Sequence, residues 1–412
     1  MFKPALPKLF GVVLVAALCA PSWGDEVVRL GASDLLTGVP GEGPLTVEQV
    51  RAWLAEEPNH RILRPRLPEG LDAGAPEVQG LGANPLTRAK IELGRQLYFD
   101  PRLSVDGTVS CASCHRPEHG YAAPTRFGVG VRDQAGARNA PTAANRLMSG
   151  PQFWDGRTES LEEQAIGPIA NPIEMGFTHA GVTARLASVE AYLLQFEAIF
   201  PDRPAVTIDN VGRAIAAFER ALVTGPNPWD HHQRLADFEE AYEGELDRPD
   251  LKPEHNRLRS TAAANPLDEA ALRGAKLFYS ARSGCTLCHA GVNFTDERFH
   301  NLGVGLRGVT DPDDPTVDWG RHAITGEESD RGAFKTPSLR NVSQTAPYLH
   351  DGSLDTLEEV IAFYAEGGNA NPWLSDLIEP LDLDEQEQAD LVAFLEALTG
   401  ALPEVEQERL PE

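Results

Sequence analysis

The sequence lacks a long hydrophobic run beyond its N-terminus, so we expect no stable membrane insertion of the remaining chain. Near the N-terminus, Lys3 and Lys8 precede the apolar run from Leu9 to Ala20, and small residues follow it. This order is typical of a secretory signal peptide, which we assign to residues 1–24. A retained anchor is the alternative, but the run is shorter than the roughly 20 residues of a membrane span. We therefore expect an exported, periplasmic chain.

Basic residues are few relative to acidic ones. The chain has 36 lysines and arginines against 62 aspartates and glutamates, a net charge of −26. This balance argues against nucleic acid and anionic lipid as partners, and it permits electrostatic steering of a basic protein. Solubility alone is the simpler explanation of the charge.

Cysteine is also scarce, and its spacing excludes the usual interpretation. Of five cysteines, Cys19 lies in the predicted signal, and the other four would normally suggest two disulfides in an exported protein. Those four instead form two C-x-x-C-H motifs: Cys111, Cys114 and His115, then Cys285, Cys288 and His289. Two thiols at this spacing can bond the vinyl groups of a haem, and the histidine then binds its iron. The motifs predict two covalently bound haem c groups.

Each motif follows a similar stretch of sequence, so the chain contains an internal repeat. The matching segments are Asn84-Pro85-Leu86 with Gly94 and Leu97-Tyr98-Phe99, then Asn265-Pro266-Leu267 with Gly274 and Leu277-Phe278-Tyr279. A proline just inside the helix start and apolar residues at helical spacing predict one leading helix before each motif. We expect a mainly α fold with two cytochrome c-like domains.

The predicted organisation has six parts. After the signal, these are an N-terminal extension (25–83), a first haem domain (84–225), a polar linker (226–264), a second haem domain (265–400) and a C-terminal tail (401–412). Helices are predicted at Thr46–Glu57, Ser160–Ile166, Val182–Glu197, Ile208–Val223 and Asp384–Thr399.

Methionine is rare, which limits the axial ligands of the second haem. The chain has three methionines, and none follows His289. Tyr364 is the best local candidate for the sixth ligand, although its helical spacing is also that of a packed core tyrosine. His300, His322 and His350 are the alternatives.

Histidine is absent between His119 and His179. His119 is too close to His115 to reach the opposite face of the same haem. The first iron is therefore a candidate for an open site, and an iron with a vacant position can bind peroxide.

Two further motifs carry a family resemblance. They are Phe153-Trp154-Asp155-Gly156-Arg157 with Gln164, Pro168 and Asn171-Pro172-Ile173-Glu174-Met175, and the segment Thr345-Ala346-Pro347-Tyr348-Leu349-His350-Asp351-Gly352. Together with both attachment motifs, these segments are similar to those of the bacterial di-haem cytochrome c peroxidase and MauG family. The resemblance covers residues 84–400. The resemblance implies two haem domains packed around a shared interface. The N-terminal haem would react with hydrogen peroxide, and the C-terminal haem would transfer electrons.

The resemblance also implies catalytic residues. Glu174 matches the distal glutamate that moves a proton between the two peroxide oxygens, and Gln164 and Pro168 match positions that shape the same pocket. Trp154 matches the tryptophan that relays electrons between the haems. Without the resemblance, Glu174 would be read as a surface acid and Trp154 as a core aromatic.

A calcium ion between the domains is implied by the same resemblance. Asn139, Thr345 and Pro347 match its ligands, and side-chain and carbonyl oxygens are what this hard cation prefers.

Two departures from the usual peroxidases bear on function. The segment 128–131 lacks their distal histidine, and Tyr364 stands where they use methionine; both features resemble the MauG side of the family. A peroxidase would take electrons from a small cytochrome or cupredoxin. A MauG-like enzyme would instead oxidise tryptophan or tyrosine side chains of a partner protein, and a plain electron carrier would have two fully ligated irons.

Overall fold

The computed structural model describes residues 26–412, and the predicted signal peptide lies outside them. The fold is mainly α-helical with four short strands in this range. The strands are β1 (Val27–Arg29), β2 (Arg64–Arg66), β3 (Phe299–Asn301) and β4 (Ala333–Lys335); β1 pairs with β2 in parallel and β3 with β4 antiparallel. The helices are α1 (Ser33–Leu36), α2 (Val47–Ala55), α3 (Arg88–Phe99), α4 (Cys111–Cys114), α5 (Leu161–Ala170), α6 (His179–Ala187), α7 (Glu190–Ile199), α8 (Ile208–Ala221), α9 (Pro228–Ala241), α10 (Lys252–Ala264), α11 (Glu269–Phe278), α12 (His322–Thr325), α13 (Leu357–Ala365) and α14 (Glu385–Glu396). None of the helices in residues 26–412 combines the length and hydrophobicity that a membrane span requires.

Side-chain caps explain where most helices begin. Thr87, Ser160, Thr207 and Asp268 each accept a hydrogen bond from the backbone three residues later and so satisfy a free N–H of the first turn. The two leading helices therefore start after Thr87 and Asp268, two residues beyond the prolines that we placed just inside them.

One predicted helix is wrong. The segment Val182–Glu197 is divided between α6 and α7. The Ser188 hydroxyl donates to the carbonyl of Arg185 at 2.7 Å, which competes with continued helical bonding at the break. Helical periodicity alone does not reveal such an interruption.

The internal repeat reappears as two similar helix crossings. A side chain at Gly94 would meet the Ala214 carbonyl oxygen of α8 at 1.9 Å, and one at Gly274 would meet the Asp390 carbonyl oxygen of α14 at 1.8 Å. Each glycine thus lets a leading helix approach a later helix backbone closely. The α3–α8 crossing lies in a first hydrophobic core, and the α11–α14 crossing lies in a second.

The extension and the tail both pack on the first core. Leu30, Leu36 and Leu63 are fully buried there, and the tail residue Leu410 packs beside them. The Leu45 N–H donates to the carbonyl of Leu410 at 2.9 Å, which joins the two segments directly.

The predicted linker, 226–264, contains α9 and α10. Trp229 of α9 belongs to the second core. The adjacent Asp230 receives two hydrogen bonds from Arg340 at 2.8 and 2.9 Å, and both side chains are at most 5% exposed. Arg340 also donates to the Gly70 carbonyl at 3.0 Å, so one guanidinium links the extension, α9 and the second half.

Candidate active site

A cavity of about 740 Å³, here called the first cavity, contains the first attachment motif. This volume lies within the range of small-molecule and cofactor sites. The predicted site residues that line it are Cys111, Cys114, His115, Asn139, Trp154, Gln164, Pro168 and Glu174. Gln164 and Pro168 are four residues apart on α5 and therefore share a helix face.

The orientation of His115 suits an iron ligand. Its Nδ1 lies 2.8 Å from the carbonyl oxygen of Pro141, which can only accept a hydrogen bond. Nδ1 therefore carries the proton, and Nε2 keeps the lone pair that binds metal. Burial lowers the pKa of His115, which favours the neutral imidazole that ligation requires.

Glu174 lies in the same cavity, just beyond α5. The Asn171 side-chain amide donates to its Oε1 at 2.7 Å, which fixes the carboxyl group. Burial raises the pKa of Glu174, and the nearby Arg157 and the Asn171 hydrogen bond offset part of that rise. A carboxyl group with a raised pKa is a better proton acceptor than an exposed glutamate, which suits general acid–base chemistry.

The segment without a distal histidine packs against Glu174. The Val131 N–H donates to the Glu174 carbonyl at 2.8 Å, and a side chain at Gly130 would approach that carbonyl oxygen to 2.4 Å. Gly130 therefore allows the backbone of this segment to approach Glu174 closely.

A smaller cavity of about 180 Å³, the second cavity, contains the second attachment motif. His289 donates from Nδ1 to the carbonyl of Phe294 at 2.9 Å, so its Nε2 is also available to iron. Burial lowers the pKa of this histidine as well. All four cysteines of the two motifs are free thiols, so they can form thioethers. Both sites fit a haem c.

Three of the four predicted candidates for the other axial position line the second cavity: Tyr364, His300 and His350. His300 Nε2 bonds the Asp296 carboxylate at 2.8 Å, and the His350 ring stacks on Phe334 with centroids 3.4 Å apart. His322 is not among the lining residues; its Nδ1 bonds the Glu327 carbonyl in an exposed turn.

Tyr364 projects from α13 into this cavity. Burial, and next the neighbouring thiols of Cys288 and Cys285, raise the pKa of its phenol. Deprotonation of this phenol is therefore unfavourable without a metal. An iron bound to the phenolate would have to supply the free energy of deprotonation, as metals do for coordinated ligands.

Trp154 connects the two sites. Among the residues that the structure describes, it alone lines both cavities. Its indole Nε1 donates to the Asn139 carbonyl at 2.9 Å, and its own carbonyl accepts from the Lys335 N–H at 2.8 Å. These contacts fix the indole between the two haem sites.

Comparison with known proteins identifies the family of this chain. Residues 88–237 match the family model described as di-haem cytochrome c peroxidase. The chain is 37% identical to the methylamine utilization protein MauG of Methylorubrum extorquens, over 80% of this chain and 83% of that protein. It is 35% identical to the cytochrome c551 peroxidase of Pseudomonas aeruginosa, over 81% of this chain and 86% of that protein. The chain belongs to the di-haem cytochrome c peroxidase and MauG family.

A solved structure supports the same family assignment. A MauG-like protein associated with microbial copper homeostasis is 33% identical and aligns with a TM-score of 0.65, over 77% of this chain and 91% of that one. Membership of the di-haem family implies two haem groups, one for each C-x-x-C-H motif, and a peroxidase type of chemistry.

The calcium ligands implied by the family resemblance stay a prediction. Asn139 is buried, and its N–H donates to the His350 carbonyl at 2.7 Å, which joins it to the segment that carries Thr345 and Pro347. The Thr345 hydroxyl donates to the Val342 carbonyl at 3.0 Å. Ligand atoms of Cys288, Asp296 and His300 lie within 4.8 Å of one another, but this cysteine belongs to the haem attachment motif.

Several charged residues of the first cavity were not predicted from sequence: Arg146, Asp318 and Glu219. Arg138, another residue of this cavity, bonds Asp318 at 2.7 and 2.8 Å and Asp155 at 2.6 Å. Asp318 comes from the second half of the chain, so that half supplies part of the first cavity's wall. The sequence gives one indication of such a residue: a charge on an otherwise apolar helix face. Glu219, four residues after Ile215 on α8, is an example.

Proposed function

We propose that this protein is an exported di-haem enzyme that reduces hydrogen peroxide at the haem on His115, with electrons that arrive through the haem on His289. The observation that carries this proposal is that the predicted site residues are distributed between the two cavities. Glu174 lines only the first cavity, Tyr364 lines only the second, and Trp154 lines both.

Glu174 is proposed as the acid–base residue. A haem bound at His115 supplies the iron that accepts peroxide and exchanges electrons with it. The Glu174 carboxylate accepts a proton from one peroxide oxygen and returns it to the other, which leaves as water. The raised pKa of Glu174 makes the carboxyl a better proton acceptor than an exposed glutamate and keeps it able to return the proton.

Trp154 is proposed as the electron relay, and Gln164 and Pro168 as residues that shape the peroxide pocket. Reduction of one peroxide to two waters consumes two electrons and two protons. A small cytochrome or cupredoxin would supply the electrons, and the net charge of −26 favours a basic donor surface.

Oxidation of tryptophan or tyrosine side chains on a partner protein is the second candidate function. Tyr364 in the second cavity and the histidine-free segment 128–131 favour it. An anionic oxygen ligand would stabilise the oxidised iron and make this haem a poor acceptor from a high-potential donor. The same site residues would then pass oxidising equivalents outward to a protein substrate.

The remaining assignments belong to the same proposal. The signal at 1–24 would direct the protein to the periplasm, and the haem domains would comprise residues 84–225 and 265–400. A calcium ion at Asn139, Thr345 and Pro347 would help to hold their interface.

The proposal is tested by EPR of the ferric holoprotein with one equivalent of hydrogen peroxide. We expect one high-spin and one low-spin haem, and loss of the high-spin signal after the addition. Two low-spin haems that ignore peroxide would leave only the electron carrier. Turnover with a reduced small cytochrome or cupredoxin would support the peroxidase, whereas oxidation of protein side chains without such a donor would support the second candidate.

Tyr364→Phe tests the second haem separately. Loss of the phenolate ligand should alter the low-spin EPR signal and leave the high-spin signal unchanged. Tyr348→Phe is the matched control, because Tyr348 lines the same cavity but uses its hydroxyl on the Val342 carbonyl at 3.1 Å. An unchanged low-spin signal in the Tyr364 variant would remove this residue from the ligand set.

A further inference from the structure

Two cationic side chains, the half-buried Arg146 and the buried Lys335, line the two cavities, and the catalytic proposal uses neither. Arg146 lines the first cavity, and Lys335, which is 4% exposed, lines the second. They are close enough that Arg146 is the main charged neighbour lowering the pKa of Lys335, after burial itself. Each cation therefore lies at one haem site, and the two influence each other.

The hydrogen bonds of the Arg146 side chain go to a neutral amide. Its Nε and Nη2 donate to the amide oxygen of Gln152 at 3.0 and 2.5 Å. Within residues 26–412, no carboxylate forms an ion pair with this guanidinium. Burial lowers the pKa of Arg146, and the more distant carboxyl groups of Glu297 and Glu219 offset part of that lowering.

Within the described part of the chain, Lys335 forms an ion pair with one carboxylate, that of Glu297. Its Oε2 lies 2.7 Å from Lys335 Nζ, although this ion pair lacks the geometry of a hydrogen bond. Ser149 and the Gly150 N–H donate to the two Glu297 oxygens at 2.8 and 3.0 Å, so the carboxylate bridges both halves of the chain. Glu297 also has a φ of +59°, a backbone conformation that non-glycine residues rarely adopt. The surrounding contacts therefore hold it in this position.

Both cations have room for a further acceptor. Lys335 has Glu297 and Asp296 as negative neighbours, but its buried Nζ has no hydrogen-bond acceptor. The Arg146 guanidinium bonds only the Gln152 amide oxygen within residues 26–412, and the Glu219 carboxyl that also lines the first cavity is not hydrogen-bonded to it. A buried N–H group without an acceptor is unfavourable, so an additional acceptor should complete each site.

We propose that Arg146 binds a propionate carboxylate of the first haem, that Lys335 binds a propionate of the second, and that Glu297 couples the two sites electrostatically. Each haem carries two propionates and each cation lines a haem cavity, so the cofactors would supply the additional acceptors. This inference rests on the proposed function only in requiring that both haems are attached.

The arrangement has a consequence for redox behaviour. A positive charge beside a haem propionate favours the reduced iron, because it offsets the electron that reduction adds. Removal of Arg146 or Lys335 should therefore stabilise the ferric form of the haem that each one faces. Removal of the Glu297 charge should favour the ferrous form of both haems.

The test uses the holoprotein variants Arg146→Met and Lys335→Met, which replace a cation by an apolar side chain of similar length. Spectroelectrochemistry should show that the ferrous-to-ferric ratio of the facing haem, at a fixed solution potential, falls about tenfold, with a smaller change at the other haem. Glu297→Gln should raise that ratio at both haems. Resonance Raman spectra should show a shifted propionate bending band only for the haem that has lost its cation.

Lys252→Met is the control, since this exposed lysine pairs only with Asp247 at the surface and should leave both spectra unchanged. Unaltered potentials and propionate bands in the cavity variants would overturn the inference. If Lys335→Met does not fold, the isosteric variant Glu297→Gln serves as the test. Unchanged haem potentials in that variant would also overturn the inference. A wild-type protein that lacks either haem would instead contradict the proposed function.

Discussion

Replacement of Glu174 with glutamine should lower the kcat for hydrogen peroxide by about 10²- to 10⁴-fold, the usual contribution of a positioned acid–base group. The amide has nearly the same shape, and Asn171 still has an oxygen to bond, so the pocket should persist. Stopped-flow and steady-state assays measure the loss, and the absorption and EPR spectra of the resting variant should match those of the wild type. Retention of most of the wild-type kcat would show that another group moves the proton.

The same variant predicts a change in pH dependence. Glu174 must be ionised to accept the first proton, so activity falls as the pH drops through its pKa. Because burial raises that pKa, the acid limb should lie above the pH range of an ordinary glutamate. Glu174→Gln should lack this limb. Glu163→Gln, an exposed position on α5, should keep the wild-type profile.

Replacement of Arg340 with methionine should lower the free energy of unfolding by about 3–5 kcal/mol, the cost of leaving one member of a buried ion pair alone. The guanidinium is 1% exposed and its partner Asp230 is 5% exposed, so water cannot replace the lost contacts. Urea denaturation of the holoprotein measures the effect.

A second variant separates the charge from the packing. Arg340→Met combined with Asp230→Asn removes the stranded charge, while the amide oxygen can still cap α9, so most of the stability should return. Arg248→Met, in an exposed pair, should change stability by less than about 1 kcal/mol. A loss at Arg340 no larger than at Arg248 would contradict the importance of this ion pair.

The part of the site that could be predicted from sequence is the part encoded locally. A C-x-x-C-H motif contains both haem attachment sites and the proximal histidine, and a capped periodic segment contains most of a helix. Glu174 and Trp154 needed the family resemblance, because nothing near them in sequence distinguishes them from surface or core residues.

What could not be predicted depends on contacts between distant segments. Arg146, Glu297 and Lys335 come together only through folding, and a single charged residue in sequence does not reveal its partner. The polar composition of 226–264 suggested a linker for the same reason. It does not reveal that Trp229 packs against Phe394 and that Asp230 pairs with Arg340, each more than a hundred positions away.

Thr316, Val317 and Asp318 give the first cavity a wall that is made more than 200 residues after Cys111, the first thiol of its attachment motif. During synthesis, the first cavity would therefore stay open to bulk water until the second half of the chain has been made and has packed against the first. Haem ligation to the early motif can precede that moment, but controlled oxidant chemistry cannot. Complete enclosure of the first haem site would therefore be a late step of maturation.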